Sequence, residues 1–79
     1  MAFYIMLVKE SEDEQGVLYN FGADPEHLGK IHLDKSNGMI KEIQGIPNQH
    51  SDLMLTRAGV KLRQHWKMGH FPDRTCWAS

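Results

Sequence analysis

Five histidines and one cysteine are the residues of this chain that could ligate a metal or attack a substrate. A zinc site needs three or four ligands converging in a tetrahedron. His65 and His70 lie five residues apart across a predicted helix end, and the chain has no CxxC or HExxH spacing. Cys76 with either histidine as its base also needs a third, orienting group and a pocket. We therefore expect no metal site, no cofactor, no catalytic residue and no enzyme activity.

Charge is divided unevenly along the chain. Residues 1–47 carry four lysines against eight carboxylates, and residues 48–79 carry five cations against two carboxylates. A sign division of this kind can steer a charged partner toward one side of a protein. Six carboxylates fall in two successive predicted turns: Glu10, Glu12, Asp13, Glu14, Asp24 and Glu26. They are either solvated turn residues or, as we predict, a partner-binding surface for a basic protein.

Nucleic-acid binding is the alternative function. Four cations, which we expect on one side of the predicted helix, would contact phosphates: Arg57, Lys61, Arg63 and Lys67. Tyr4, Tyr19 and Phe21 would offer stacking surfaces for bases. A solvated helix face has the same composition, however, and the pI near 6.5 lacks the strongly basic balance of phosphate binders. Nucleic acid is therefore the less favoured partner.

The elements that must position these residues follow from hydrophobic periodicity. We predict strands over 2–9, 17–22, 30–34 and 39–44, a helix over 51–68 and a tail over 69–79. Short connections favour pairing of neighbouring strands in sequence order. The predicted fold is a single α+β domain, residues 1–79: a four-stranded antiparallel β-meander, one C-terminal helix packed on one face, and an ordered aromatic tail.

Individual residues support these boundaries. Residues 2–8 are apolar throughout, which predicts a central strand covered on both faces. Asn37-Gly38 suits a tight hairpin turn with positive φ, residues 23–29 are typical of a loop, and Gly45, Pro47 and Asn48 interrupt the pattern before the helix. The spacing of four apolar helix residues predicts the face that packs on the sheet: Leu55, Ala58, Leu62 and Trp66.

The last nine residues, Phe71 to Ser79, contain two large aromatics, the cysteine and a proline. Chain ends usually carry small polar residues, and an aromatic side chain buries a large apolar area. We therefore predict that this segment packs on its own domain or contacts a partner.

The compartment is predicted from the lone cysteine and the first strand. A single cysteine gives no disulfide framework, which favours a reducing compartment. The apolar run at residues 2–8 is far shorter than the roughly 20 residues of a membrane span. We expect a cytoplasmic protein without membrane contacts, and a monomer or weak dimer because so small a domain is marginally stable.

The order of parts resembles small uncharacterised bacterial proteins. The similar segments are Tyr19-Asn20-Phe21-Gly22, Leu28-Gly29-Lys30-Ile31, the Asn-Gly turn, and a basic helix ending in Phe71-Pro72-Asp73-Arg74-Thr75-Cys76-Trp77. The small size and acidic surface also resemble immunity proteins, which neutralise a bacterial toxin by binding it. That resemblance implies a non-catalytic protein-binding module whose partner is a basic toxin domain.

Overall fold

The computed structural model describes residues 4–46 and 51–78. They form β1 (Tyr4–Glu12), β2 (Gly16–Asp24), β3 (His27–Asp34), β4 (Ile40–Gln44), α1 (Ser51–Met68) and β5 (Arg74–Ala78). The strands make one antiparallel sheet in the order β4-β3-β2-β1-β5. The α+β class and the helix bounds are confirmed, whereas the sheet has five strands rather than four.

Some predicted positions fall outside the described residues. These are residues 2 and 3 of the first predicted strand, Pro47 and Asn48 before the helix, and Ser79 at the end of the tail.

The connection between β2 and β3 is a two-residue turn, Pro25-Glu26, so the predicted loop over residues 23–29 is wrong. The carboxylate of Asp24 accepts a hydrogen bond from the backbone N–H of Glu26 at 3.0 Å. Such a bond lets an aspartate close a turn with its own side chain. β2 and β3 therefore continue up to the turn, and the antiparallel pairing between them is longer than predicted.

The β3–β4 turn has the backbone that its Asn-Gly pair predicts. Gly38 adopts φ +75°, and the side-chain oxygen of Asn37 accepts a hydrogen bond from the N–H of Met39 at 2.9 Å. A β-carbon at Gly38 would lie 2.6 Å from the ring of Trp66. Glycine is therefore required here both for its conformation and for the close approach of α1.

Two hydrogen bonds join the C-terminal half of α1 to the β3–β4 turn. Trp66 Nε1 donates to the carbonyl of Lys35 at 2.8 Å, and Arg63 Nε donates to the carbonyl of Gly38 at 3.0 Å. The turn thus fixes how α1 lies beside β4.

The core lies between α1 and one face of the sheet. Alternate residues of β1 and β3 pack against the apolar stripe of the helix, as their spacings predict. Five residues of β1, β3 and α1 are fully buried in this core: Ile5, Leu7, Ile31, Leu33 and Leu62. Leu55 and Trp66 are partly buried against them, so the predicted helix face is confirmed.

The opposite face of β1 is not covered, so the prediction that this strand is buried on both sides is wrong. Ile5 and Leu7 are fully buried, whereas Met6 and Val8 are half-buried and Tyr4 is exposed. The reason is that α1 covers one face and no described element covers the other.

The fifth strand comes from the predicted tail. β5 pairs antiparallel with β1, with Thr75 opposite Leu7 and Trp77 opposite Ile5. Paired residues of an antiparallel ladder share a face, so Thr75 and Trp77 lie on the helix side of the sheet. Trp77 is partly buried there, with the guanidinium of Arg57 5.0 Å from its ring centre. The aromatic segment therefore packs on its own domain.

The segment before β5 is held to the first two strands. Lys9 Nζ donates to the carbonyl of Phe71 at 3.0 Å, and the hydroxyl of Tyr19 donates to the carbonyl of Pro72. Burial, together with the nearby carboxylates of Glu12 and Asp73, raises the pKa of Tyr19 to about 12. The phenol is thus a neutral donor at physiological pH.

A histidine joins α1 to β5. His65 Nε2 lies 3.1 Å from the hydroxyl of Thr75, and its buried Nδ1 has no hydrogen-bond partner among the described residues. Burial lowers the pKa of His65, and the positive charges of Lys61 and His70 lower it further. The folded protein therefore disfavours the protonated ring.

We predict acid destabilisation through this contact. A depressed folded pKa contributes stability above the unfolded value, about 6.5, and that contribution is lost as pH falls through the folded value. The midpoint of urea unfolding should fall between pH 7 and pH 5, and it should fall less in His65→Gln. His70→Gln removes only one of the charges that lower the pKa of His65, so it should reduce the pH dependence less than His65→Gln does. Equal pH dependence in His65→Gln and wild type would contradict this role.

Candidate functional site

A concave surface lies between β4 and α1. This β4–α1 groove has a volume of about 400 Å³. Its lining is mostly apolar: Met39, Ile40, Leu55, Thr56, Gly59, Val60 and Arg63. Met39 is 61% exposed and Val60 is 44% exposed, so large apolar side chains face solvent at its rim. Apolar concavities of this kind are where ligands and partner segments bind.

The groove runs along an edge of the sheet. Among the described strands, β4 pairs with β3 alone, so its other side has no backbone partner within residues 4–46 and 51–78. The N–H of Asp34 donates to the carbonyl of Met39 at 2.9 Å, so Met39 directs its carbonyl toward β3. Along an antiparallel strand, the backbone N–H and carbonyl groups of successive residues point alternately to the two sides. Ile40 and Glu42 therefore direct these groups away from β3. An extended chain could add there as a further strand.

Two charged side chains flank the apolar lining. Glu42 lies opposite Ile31 in the ladder, so its side chain is on the helix side of the sheet. Arg63 is held over the start of β4 by its bond to the carbonyl of Gly38. Both side chains are exposed, and among the described residues neither forms an intrachain ion pair. The groove therefore has an acidic and a basic position on either side of Ile40.

The carboxylates of the β1–β2 hairpin are largely engaged within the domain. Glu12 accepts hydrogen bonds from Lys35 at 2.7 Å and Lys9 at 2.8 Å, which lower its pKa to about 2. Glu10 accepts a bond from Lys30 at 2.7 Å, which lowers its pKa. These lysines offset much of the negative charge that the composition places at the hairpin.

The remaining predicted carboxylates differ in their surroundings. Asp13 accepts hydrogen bonds from the backbone N–H groups of Gln15 and Gly16, which shape the turn and lower the pKa of Asp13. Glu14 and Glu26 are exposed, and neither has an ion-pair partner within the described part of the chain. Of these carboxylates, Glu14 and Glu26 are therefore the ones best placed to act on a partner.

The six carboxylates do not form one cluster. The β1–β2 turn and the β2–β3 turn lie at opposite ends of β2, which spans Gly16–Asp24. A strand of this length extends roughly 25 Å. Asp24 and Glu26 are therefore not beside Glu12 and Glu14, and the idea of a single acidic patch is wrong.

The four helix cations lie on one side of α1. At about 100° per residue, they fall within an arc of about 160° that runs from Arg63 through Lys67 and Arg57 to Lys61. Arg57 stacks on Trp77 near β5, whereas Arg63 bonds to Gly38 at the β3–β4 turn. Lys61 lies on the flank of Arg57 and Lys67 on the flank of Arg63. One side of α1 is therefore basic, although each arginine also serves a separate intramolecular contact, and nucleic-acid binding by this side stays a prediction.

The histidines that the structure describes and Cys76 are not gathered into a metal site. No group of three or more histidine, cysteine, aspartate or glutamate side chains within residues 4–46 and 51–78 is arranged to hold a metal ion. Cys76 lies opposite Met6, on the sheet face away from the helix, whereas His65 lies between α1 and β5. The thiol of Cys76 and the ring of His65 therefore lie on opposite faces of the sheet.

In the same described ranges, α1 lacks the apolar content that a membrane-crossing helix requires.

Of the residues that line the groove, only Arg63 is a candidate from the sequence. Met39 begins the predicted fourth strand, and Val60 lies within the predicted helix. Their exposure depends on the position of α1, which is fixed by the distant Trp66–Lys35 and Arg63–Gly38 bonds. The sequence does indicate that Val60 is exposed, because Val60 is apolar but lies outside the helical stripe that contains Ala58 and Leu62.

Comparisons with family models, curated proteins and solved structures gave no match to this chain. The candidate site is therefore defined by its own geometry: an apolar groove beside an unpaired strand edge.

Proposed function

We propose that this protein is a non-catalytic protein-binding module whose partner docks on the β4–α1 groove. The observation that carries the proposal is the combination of an apolar groove with the free edge of β4. Burial of the exposed parts of Met39 and Val60 would supply hydrophobic free energy, and the outward backbone of Ile40 would supply directional hydrogen bonds.

Exposed charge gives the partner its proposed character. Glu14 and Glu26 are exposed and have no ion-pair partner among the described residues, so they attract a cationic surface and repel phosphates. The resemblance to immunity proteins makes a basic toxin domain the first partner class to test, and inhibition of that toxin the proposed role. A cytoplasmic location belongs to the same proposal, because the lone Cys76 suits a reducing compartment.

We predict that one charge placed in the groove weakens partner capture. The tagged protein would be used as bait for a panel of purified basic toxin domains. Val60→Asp should reduce the bound amount at least about tenfold, since the new carboxylate must be desolvated on docking. Leu53→Asp is the matched control, because Leu53 is exposed on α1 but does not line the groove.

The outcomes separate the possible surfaces. Loss with Val60→Asp and retention with Leu53→Asp, with both variants folded by circular dichroism, supports the groove. Equal binding by both variants places the contact elsewhere. If the bait binds a nucleic-acid probe and none of the toxin domains, the nucleic-acid alternative replaces this proposal.

A further inference from the structure

We propose that this protein self-associates through β4, with two copies related by a two-fold axis that passes beside Ile40. The inference rests on the proposed function, because it takes the β4–α1 groove to be a protein-binding surface. It names a second copy of this chain as a protein that binds there. The dimer would extend the five-stranded sheet to ten strands.

The backbone at the centre of β4 is suited to this pairing. Ile40 directs its N–H and carbonyl outward, because the neighbouring Met39 carbonyl is bonded to β3. Two antiparallel copies centred on Ile40 exchange two backbone hydrogen bonds there. The ladder is short, since Gly38 already uses its N–H on Asp34 and its carbonyl on Arg63. A weak, concentration-dependent dimer is therefore expected.

Symmetry and charge select the register. A two-fold axis perpendicular to the sheet keeps each side chain on the same face of the sheet. Directly opposed residues must also share a face, so the axis passes beside one residue of β4 and sets it opposite its own copy. An axis beside Lys41 or Glu42 sets that residue opposite its own copy, and like charges directly opposite are destabilising. An axis beside Ile40 instead sets isoleucine against isoleucine.

The same register pairs the two charges of the groove. With Ile40 at the centre, Glu42 of each copy lies opposite Gly38 of the other. Arg63 is bonded to the Gly38 carbonyl at 3.0 Å, and Glu42 is on the same face of the sheet. Each glutamate therefore meets the arginine of the second copy, and symmetry produces this contact twice. The exposed side chains of Met39 and Val60 lie beside the same contact.

Reversal of these charges gives a sharp test. Sedimentation of the wild-type protein should show an average mass rising from 9.1 kDa toward twice that value with concentration. Glu42→Arg and Arg63→Glu should each weaken association at least about tenfold, because each places like charges together. An equimolar mixture of the two variants should associate again, since both cross-pairs are then of opposite sign. Lys41→Glu, on the other face, is the control and should associate like wild type.

Cross-linking tests the register directly. Ile40→Cys in a Cys76→Ser background should form an interchain disulfide on mild oxidation, because directly opposed residues have Cα atoms about 5.5 Å apart. The protein with native Cys76 alone should not cross-link, since Cys76 lies on β5 at the other edge of the sheet. Cross-linking through Cys76 instead would assign the dimer to β5 and overturn the proposal.

The dimer and the proposed function can fail separately. A wild-type protein that stays at 9.1 kDa at millimolar concentration, or a variant mixture that does not associate, overturns self-pairing. Capture of a toxin domain that depends on Val60 would still support the protein-binding function. If the mixture of Glu42→Arg and Arg63→Glu associates and no toxin domain is captured, the dimer is supported and the foreign partner is not.

Discussion

Leu62→Ala is expected to lower the free energy of unfolding by about 2–5 kcal/mol, since it removes a buried side chain and leaves a cavity. Leu62 is fully buried between α1 and the sheet, where Ile5, Leu7, Ile31 and Leu33 are also fully buried. For a small domain of marginal stability, a loss of this size is a large fraction of the total. Urea unfolding followed by circular dichroism measures it.

The control is the same substitution on the same helix. Leu53 is 48% exposed, so Leu53→Ala should change stability by less than about 0.5 kcal/mol. Both substitutions change the helix propensity by the same amount, so the difference between their effects on stability reflects burial. Equal costs for the two substitutions would show that Leu62 is not part of a packed core.

The second large effect is expected at the β3–β4 turn. Gly38→Ala should destabilise the protein by about 2–5 kcal/mol, from two sources. An alanine at φ +75° is strained, and its β-carbon would lie 2.6 Å from the ring of Trp66. Thermal unfolding together with the near-ultraviolet spectrum of Trp66 would report both the loss of stability and the displacement of the ring.

Gly69 provides a matched control for the strain alone. It adopts φ +79°, but a β-carbon there meets no heavy atom within 4 Å. Gly69→Ala should therefore cost about 1–2 kcal/mol, the conformational part of the Gly38 effect. If both glycine variants lose the same stability, the contact between Gly38 and Trp66 contributes nothing.

The elements with strong periodicity could be predicted from the sequence. The helix over 51–68 and the alternation of Ile31 and Leu33 were sufficient for the α+β class and most of the core. Strand β5 was missed because five residues that include Arg74 and Cys76 show no clear alternation. Only the contacts with β1 reveal that Thr75 and Trp77 share the core side.

The site was less predictable because it depends on which partner each charge meets. Composition showed an excess of carboxylates before residue 47, yet three lysines from different strands and turns reach Glu10 and Glu12. Likewise, the contacts of Arg57 and Arg63 could not be read from a helical wheel, because they involve Trp77 and Gly38. Long-range contacts of this kind are absent from local sequence patterns.

The pairing of β1 with β5 also bears on how the chain folds. Tyr4 pairs with Ala78, and Val8 pairs with Arg74, so this ladder joins segments more than 60 residues apart. Pairing over such distances is slow because the loop must close before any contact is gained. Until β5 arrives, the apolar strand β1 is an open edge on which another unfinished chain can add. Rapid dilution from denaturant at low protein concentration should therefore give a higher refolding yield than refolding at high concentration.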